Sequence, residues 1–158
     1  MNEKSKARIE SESIMTELVL PNDVNIIGNL LGGRLLHWID IAGALAATRH
    51  AENIVATLTM DRVEFKYPVK VGSIVVLKSY VTWTGKTSIE TAVEVHAEYP
   101  YTGERKFINK GYLVFVALDK NGAKIPVIPY SPETDEEKAE FNDGAKRKEK
   151  RLARAANC

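Results

Sequence analysis

The chain has 158 residues, 22 Lys and Arg against 21 Asp and Glu for a net charge of +1, and 44% hydrophobic residues. That length and composition describe one globular core, which excludes wholesale disorder and a separate cofactor domain. The near-neutral balance gives no reason to expect a nucleic-acid partner, and the single cysteine, Cys158, excludes an intrachain disulfide and fits a reducing cytoplasm.

Residues 1–13 are polar and mixed in charge, without the apolar segment of a secretory signal, and are expected to be a flexible leader. Residues 14–20 read as a first strand, stopped by Pro21, Asn22 and Asp23. Past a loop through Asn25 come Gly28, Gly32 and Gly33. Leu35, Leu36, Trp38, Ile39, Ile41, Ala42, Ala44, Leu45, Ala46 and Ala47 then cover nearly every face of a helix, which predicts a central, buried one. Arg34, His37 and Asp40 interrupt it, so it is no membrane span, and Arg49 and His50 close it near the negative end of its dipole.

From residue 54 the period becomes two. Ile54, Ala56, Leu58 and Met60 share one side, but Val63 and Phe65 take the other, which predicts a bulge or kink at Asp61 and Arg62. Val75, Leu77, Val81 and Trp83 alternate next, and Trp83-Thr84-Gly85-Lys86 supplies a hairpin turn. Ile89, Thr91, Val93, Val95 and Tyr99 then alternate with Ser88, Glu90, Glu94, His96 and Glu98, predicting one buried and one wet face, with His96 paired to its acidic neighbours. Residues 108–118 are apolar on both parities, as in a strand under a helix or at a subunit contact.

Ser131-Pro132 opens a terminal helix. Residues 133–143 hold six acidic residues and one basic, and residues 144–154 six basic and one acidic. With only Phe141 and Leu152 as large apolar anchors, this helix is expected to be peripheral and to fray beyond Gly144. The fold class is α+β, one helix held against a curved antiparallel sheet over residues 14–130, with a helical extension over 131–158.

Several familiar sites are excluded by spacing. No G-x-S-x-G elbow occurs, and His37, His50 and His96 lack the arrangement of a zinc site. Gly85-Lys86-Thr87-Ser88 matches the end of a phosphate loop, but Tyr80 replaces its first glycine and no helix pattern follows. Asp40 is the anomaly: it lies between Ile39 and Ile41, where an unpartnered carboxylate is costly to bury. It either bonds to backbone, histidine or arginine, or it serves chemistry, and Gly43 and Ala44 leave room for a ligand or second chain beside it. Gly32 and Gly33 begin the same helix, where free N–H groups can receive negative charge on a carbonyl oxygen, although the pair also suits a tight turn or close packing. Asn25 either satisfies its loop or orients a carbonyl or a water.

Taken in order, Leu20-Pro21-Asn22-Asp23-Val24-Asn25, Gly28, Gly32-Gly33, Trp38-Ile39-Asp40 and Ala47-Thr48-Arg49-His50 closely resemble the acyl-CoA thioesterases of the hotdog fold. Val63-Glu64-Phe65, Pro68-Val69, Val71-Gly72, Gly85-Lys86-Thr87-Ser88, Phe115-Val116-Ala117-Leu118 and Pro126 continue the match. The resemblance implies a long helix wrapped by an antiparallel sheet, dimers that assemble further into hexamers, and active sites between subunits. It implies hydrolysis of acyl-CoA to fatty acid and coenzyme A, with Asp40 as general base or as nucleophile and Asn25, from across the boundary, placing water or carbonyl. Gly32 and Gly33 would receive the oxyanion, and Lys86, Thr87, Ser88 and Arg62 would line the path of coenzyme A. No metal or prosthetic group is expected, since coenzyme A enters as part of the substrate. The competing expectation is a regulator that binds acyl-CoA without hydrolysing it.

Overall fold

The computed structural model describes residues 4–61 and 63–157; Arg62 and Cys158 lie outside the described residues. The elements are β1 (Ser13–Leu18), α1 (Gly32–Ala51), β2 (Ile54–Met60), β3 (Ile74–Thr84), β4 (Ser88–Glu98), β5 (Arg105–Leu118) and α2 (Asp135–Ala156). The strands form one antiparallel sheet in the order β1-β3-β4-β5-β2, and α1 touches all five of them. The fold is therefore the expected α+β hotdog arrangement of a central helix in a curled sheet. Among the described residues no helix is long and apolar enough to cross a membrane.

Bulges supply the curl. Leu58, Thr82 and Ile108 are each one residue too many for the facing strand, and such insertions sharpen the local twist. They also reset parity, which corrects the sequence reading twice. A switch in β2 falls at Leu58, so Ile54, Ala56, Leu58 and Met60 do not share one side, and Val55, Thr57 and Met60 face α1 opposite Ala117, Phe115 and Leu113. Of the further kink expected at Asp61 and Arg62, Arg62 lies outside the described residues. In β3 the bulge at Thr82 turns Trp83 to the outer face, away from Val75, Leu77 and Val81 in the core.

The core fills the space between sheet and helix, with Ile39, Ala42 and Ala47 of α1 against Leu77, Ile89, Val93, Leu113 and Phe115. Gly43 belongs to this contact: a Cβ there would stand 2.9 Å from Thr91 Oγ1 and 3.2 Å from the Phe115 ring. The room that a glycine was expected to leave beside Asp40 is thus filled by the sheet. The expectation of a helix buried on all sides also fails, because Ile41 is 38% and Leu45 40% exposed on the side the sheet does not reach.

His50 is fully buried, with Nε2 2.6 Å from the Ile128 carbonyl. Burial lowers its pKa against the opposing pull of that bond, so the ring is neutral and Nε2 carries the proton it donates. It acts as a buried hydrogen-bond donor and not as a positive charge on the dipole. His96 lies edge-on to Phe107 at 5.5 Å, and burial and Arg105 lower its pKa against the opposing pull of Glu94. Residues 6–13 pack against the domain instead of hanging free of it: Lys6 is 7% exposed, and its Nζ donates to the Arg49 carbonyl.

The outer face of the sheet is not wet where α2 crosses it. The helix begins with Thr134 capping the Glu137 N–H, and it continues through Gly144 without a break. Glycine is required there by close approach, since a Cβ would stand 2.7 Å from Trp83 Cβ. Beneath the helix, Glu140 accepts from Arg8 at 3.1 Å, Lys110 at 2.8 Å and Tyr112 at 3.1 Å. Burial acts to raise its pKa, but these cations outweigh it and hold the carboxyl ionised. Glu90, fully buried, accepts two bonds from Arg147 at 2.8 and 2.7 Å and one from Thr82 at 2.7 Å.

Removing one partner of such a pair leaves a buried charge, which costs about 3–5 kcal/mol, whereas replacing both with apolar residues is near neutral. Urea denaturation should therefore show Arg147→Ala strongly destabilised and the Glu90→Leu, Arg147→Met double variant close to the parent. Equal losses in both would contradict the buried pair.

Candidate active site

The loop between β1 and α1 is organised by Asp23. This side chain is 7% exposed; its Oδ2 accepts the Leu20 N–H at 2.9 Å and its Oδ1 meets Arg34 Nε at 3.1 Å. Its own carbonyl accepts the Leu31 N–H at 2.9 Å. One acid thus ties both ends of the loop to the first turn of α1. Sequence reasoning passed over it, although it stands within the run that carries the resemblance.

The same loop presents Asn25. Its Oδ1 accepts the N–H groups of Ile27 and Asn29, both at 3.1 Å, as a turn-forming asparagine does. The oxygen is occupied, so the amide NH2 is the end left to donate to a ligand. No side chain caps α1 at Leu31, which leaves the first N–H groups of the helix pointing out of its positive end. Neither Gly32 nor Gly33 has a positive φ. Gly32 packs against Phe65, 3.3 Å from where its Cβ would be, while a Cβ at Gly33 would meet nothing within 4 Å. Packing therefore accounts for Gly32 and not for Gly33. Asn25, Gly32, Leu35, Phe65, Tyr67 and Val69 are among the residues lining a cleft of about 490 Å³.

Asp40 does not line that cleft. It lies eight residues beyond Gly32, about 12 Å along the helix axis. It is half-buried and its Oδ1 accepts from Thr57 Oγ1 at 2.7 Å. The expected deep burial with a backbone, histidine or arginine partner is replaced by a hydroxyl partner on an open rim between α1 and the edge strand β2. Thr57, which the sequence did not single out, is aimed at Asp40 because it precedes the bulge at Leu58. Among the described residues the second carboxylate oxygen of Asp40 accepts no hydrogen bond.

Lys86, Thr87 and Ser88 form the β3–β4 hairpin, where the Lys86 carbonyl accepts the Val127 N–H and the Thr87 carbonyl the Ala117 N–H. Lys86 is exposed, Thr87 half-buried, and Ser88 3% exposed. β3 starts beside the Asn25 loop, where Val19 N–H meets the Ser73 carbonyl, so the hairpin lies the length of that strand away, about 35 Å. One chain does not bring these residues to Asn25 and Gly32. Among the described residues no three or more His, Cys, Asp or Glu converge as a metal site would require.

The hotdog fold thus carries an uncapped helix start and a held amide on one cleft and a carboxylate on a separate rim. The profile of the thioesterase superfamily matches residues 27–104. An uncharacterized acyl-CoA thioester hydrolase of Bacillus subtilis is 40% identical over 145 residues, covering 92% of this chain and 84% of that protein. The chain belongs to this family of thioester hydrolases. A hexameric acyl-CoA thioesterase solved in its apo form is 41% identical with a TM-score of 0.91, over 97% of this chain and 98% of its own. The Staphylococcus aureus acyl-CoA hydrolase, solved with butyryl coenzyme A, coenzyme A and coenzyme A disulfide, is 32% identical with a TM-score of 0.88, over 97% and 93%. Its solved variants replace an asparagine, an aspartate and a threonine by alanine, and the aspartate follows the asparagine by 15 positions and precedes the threonine by 17. Asn25, Asp40 and Thr57 have that spacing here.

If Asp23 positions the Asn25 loop, Asp23→Ala should cost about 1–3 kcal/mol, the usual loss for a buried donor left unpartnered. It should also reduce turnover although it touches no substrate, whereas Asn22→Ala should do neither. Thermal melts and thiol release measured on the same samples check this, and unchanged turnover in Asp23→Ala would contradict it.

Proposed function

We propose that this thioester hydrolase cleaves fatty acyl-CoA to fatty acid and coenzyme A at a site completed between two subunits. The observation that carries the reading is the division just described: the Asp40–Thr57 pair sits on an open rim, while Asn25 and Gly32 line a separate cleft that lacks Asp40. Each half is exposed, and a second copy supplies what the first lacks. The unpaired outer edge of β2, with Ile54 63% and Leu58 53% exposed, supports pairing of two sheets there. The hexameric relative supports assembly to six copies, and a trimer of dimers is the arrangement proposed for this chain.

In this mechanism the Asn25 amide donates to the thioester carbonyl from one subunit, because its oxygen is already held by the loop. That choice favours orienting the carbonyl over orienting a water. Asp40 of the other subunit takes the proton of an attacking water, its free oxygen aimed by the Thr57 bond to its neighbour. The N–H groups at Gly32 and Gly33 receive the developing oxyanion, and such donors contribute about 3–4 kcal/mol each in related chemistry. Collapse of the intermediate expels the thiolate of coenzyme A. Lys86, Thr87 and Arg62 are proposed to meet coenzyme A only in the assembled protein, and Ser88 to hold their hairpin. The reaction so written needs no metal or prosthetic group, and a cytoplasmic setting supplies its substrate.

Asp40→Asn keeps the hydrogen bond from Thr57 but removes the base, and should lower turnover about 10²–10⁴-fold without changing oligomer size. Thr57→Ala removes one bond to a charged group, roughly 1.5–3 kcal/mol, and should slow turnover at least about tenfold. Thiol release from a panel of acyl-CoAs, with sedimentation to fix the assembly, tests both. Full activity of Asp40→Asn would remove Asp40 from the mechanism, and tight acyl-CoA binding by the parent without thiol release would turn the reading into a binding module.

A further inference from the structure

We infer that the cleft between the last three turns of α2 and Asp61 is a phosphate-binding site for a nucleotide. Arg147, Lys150, Arg151 and Arg154 recur at positions i, i+3, i+4 and i+7, which places them on one stripe of the helix. Together with Asp61 they line a cleft of about 300 Å³. The sequence suggests a solvated basic helix end, with contact to the nucleotide of a neighbouring subunit as the alternative; the docking of α2 on the sheet turns Arg147 and Arg151 inward and leaves Lys150 and Arg154 at the mouth.

The positive charge of the cleft is not balanced from within. Arg147 is engaged with Glu90 through Nε and Nη2. Arg151 reaches the same carboxylate only at 3.9 Å, too far for a hydrogen bond. Its Nη1 and Nη2 are both buried and donate to no acceptor among the described residues. Lys150 and Arg154 are exposed and make no ion pair among the described residues. Four cations therefore face two carboxylates, Asp61 and Glu90. The helix dipole explains Arg154 in the last turn, but it does not explain buried guanidinium donors without acceptors.

An occupant must bring several acceptor oxygens and more than one negative charge. A phosphate monoester has both, and the flat fork of arginine matches its geometry. Asp61 follows β2 directly, four residues and about 13 Å from Thr57, so the cleft opens at the same edge of the sheet as the Asp40 rim. Two sources carry this chemistry: the nucleotide end of coenzyme A, which rests on the function proposed above, and a free nucleotide bound as an effector.

Calorimetric titration of the intact oligomer with adenosine 3′,5′-bisphosphate tests the site without relying on turnover. Binding should be seen, should weaken as salt is raised, and should fall on the order of tenfold or more in the Lys150→Gln, Arg154→Gln double variant, whose changes are at exposed positions. Prior saturation with coenzyme A separates the sources: a lost isotherm assigns the site to the coenzyme A nucleotide, and an undiminished one assigns it to a free nucleotide. No binding to the parent, or equal affinity in parent and double variant, would overturn the proposal. Asp40→Asn should give the parental isotherm, so failure of the hydrolytic mechanism and failure of the phosphate site are told apart.

Discussion

A five-stranded sheet can curl around only one side of a helix, and the rest of this molecule follows from that constraint. The sheet covers the face of α1 that carries Ile39, Ala42, Gly43 and Ala46, and it ends at β2 with an unpaired backbone edge. What the sheet does not reach is left at the rim, and Asp40 stands there with Thr57 as its partner. A carboxylate at that position keeps access to water while one oxygen is fixed. Deep burial would have made the same group costly to ionise. The rim is shallow because its scaffold is half a barrel, and the site proposed above takes its other half from a second copy.

The positive end of the same helix is prepared differently. Leu31 cannot cap it, so its N–H groups stay directed outward, and Asp23 instead fastens the preceding loop from the side through Leu20, Leu31 and Arg34. Asn25 is thereby held with its oxygen turned into the loop and its NH2 outward. An acid placed at the helix end itself would have neutralised the donors an oxyanion needs. Placing it behind the loop gives rigidity without taking those donors.

The order of elements, the long helix after Gly32-Gly33 and the antiparallel strands were legible because each rests on local periodicity and on turn residues. Asp40 was legible as an isolated charge in an apolar run. What escaped was set by contacts distant in sequence. Bulges at Leu58 and Thr82 carry no residue signature, yet they decide that Thr57 faces Asp40 and that Trp83 faces α2. Glu90 looked like a solvent-facing residue because its alternation was sound; only the helix 57 residues later, with Arg147, buries it. Gly144 looked like a point of weakness and is instead where α2 comes closest to the sheet.

The division of the site between chains is the claim that most needs a direct measurement. Asp40→Asn and Asn25→Ala protomers, each purified as an oligomer with little activity, should be dissociated, mixed and reassembled, and thiol release followed. A shared site predicts that the mixture regains activity neither parent has, because some interfaces pair an intact Asp40 with an intact Asn25. A mixture no more active than its two components would place both residues in a site within one chain and contradict the account.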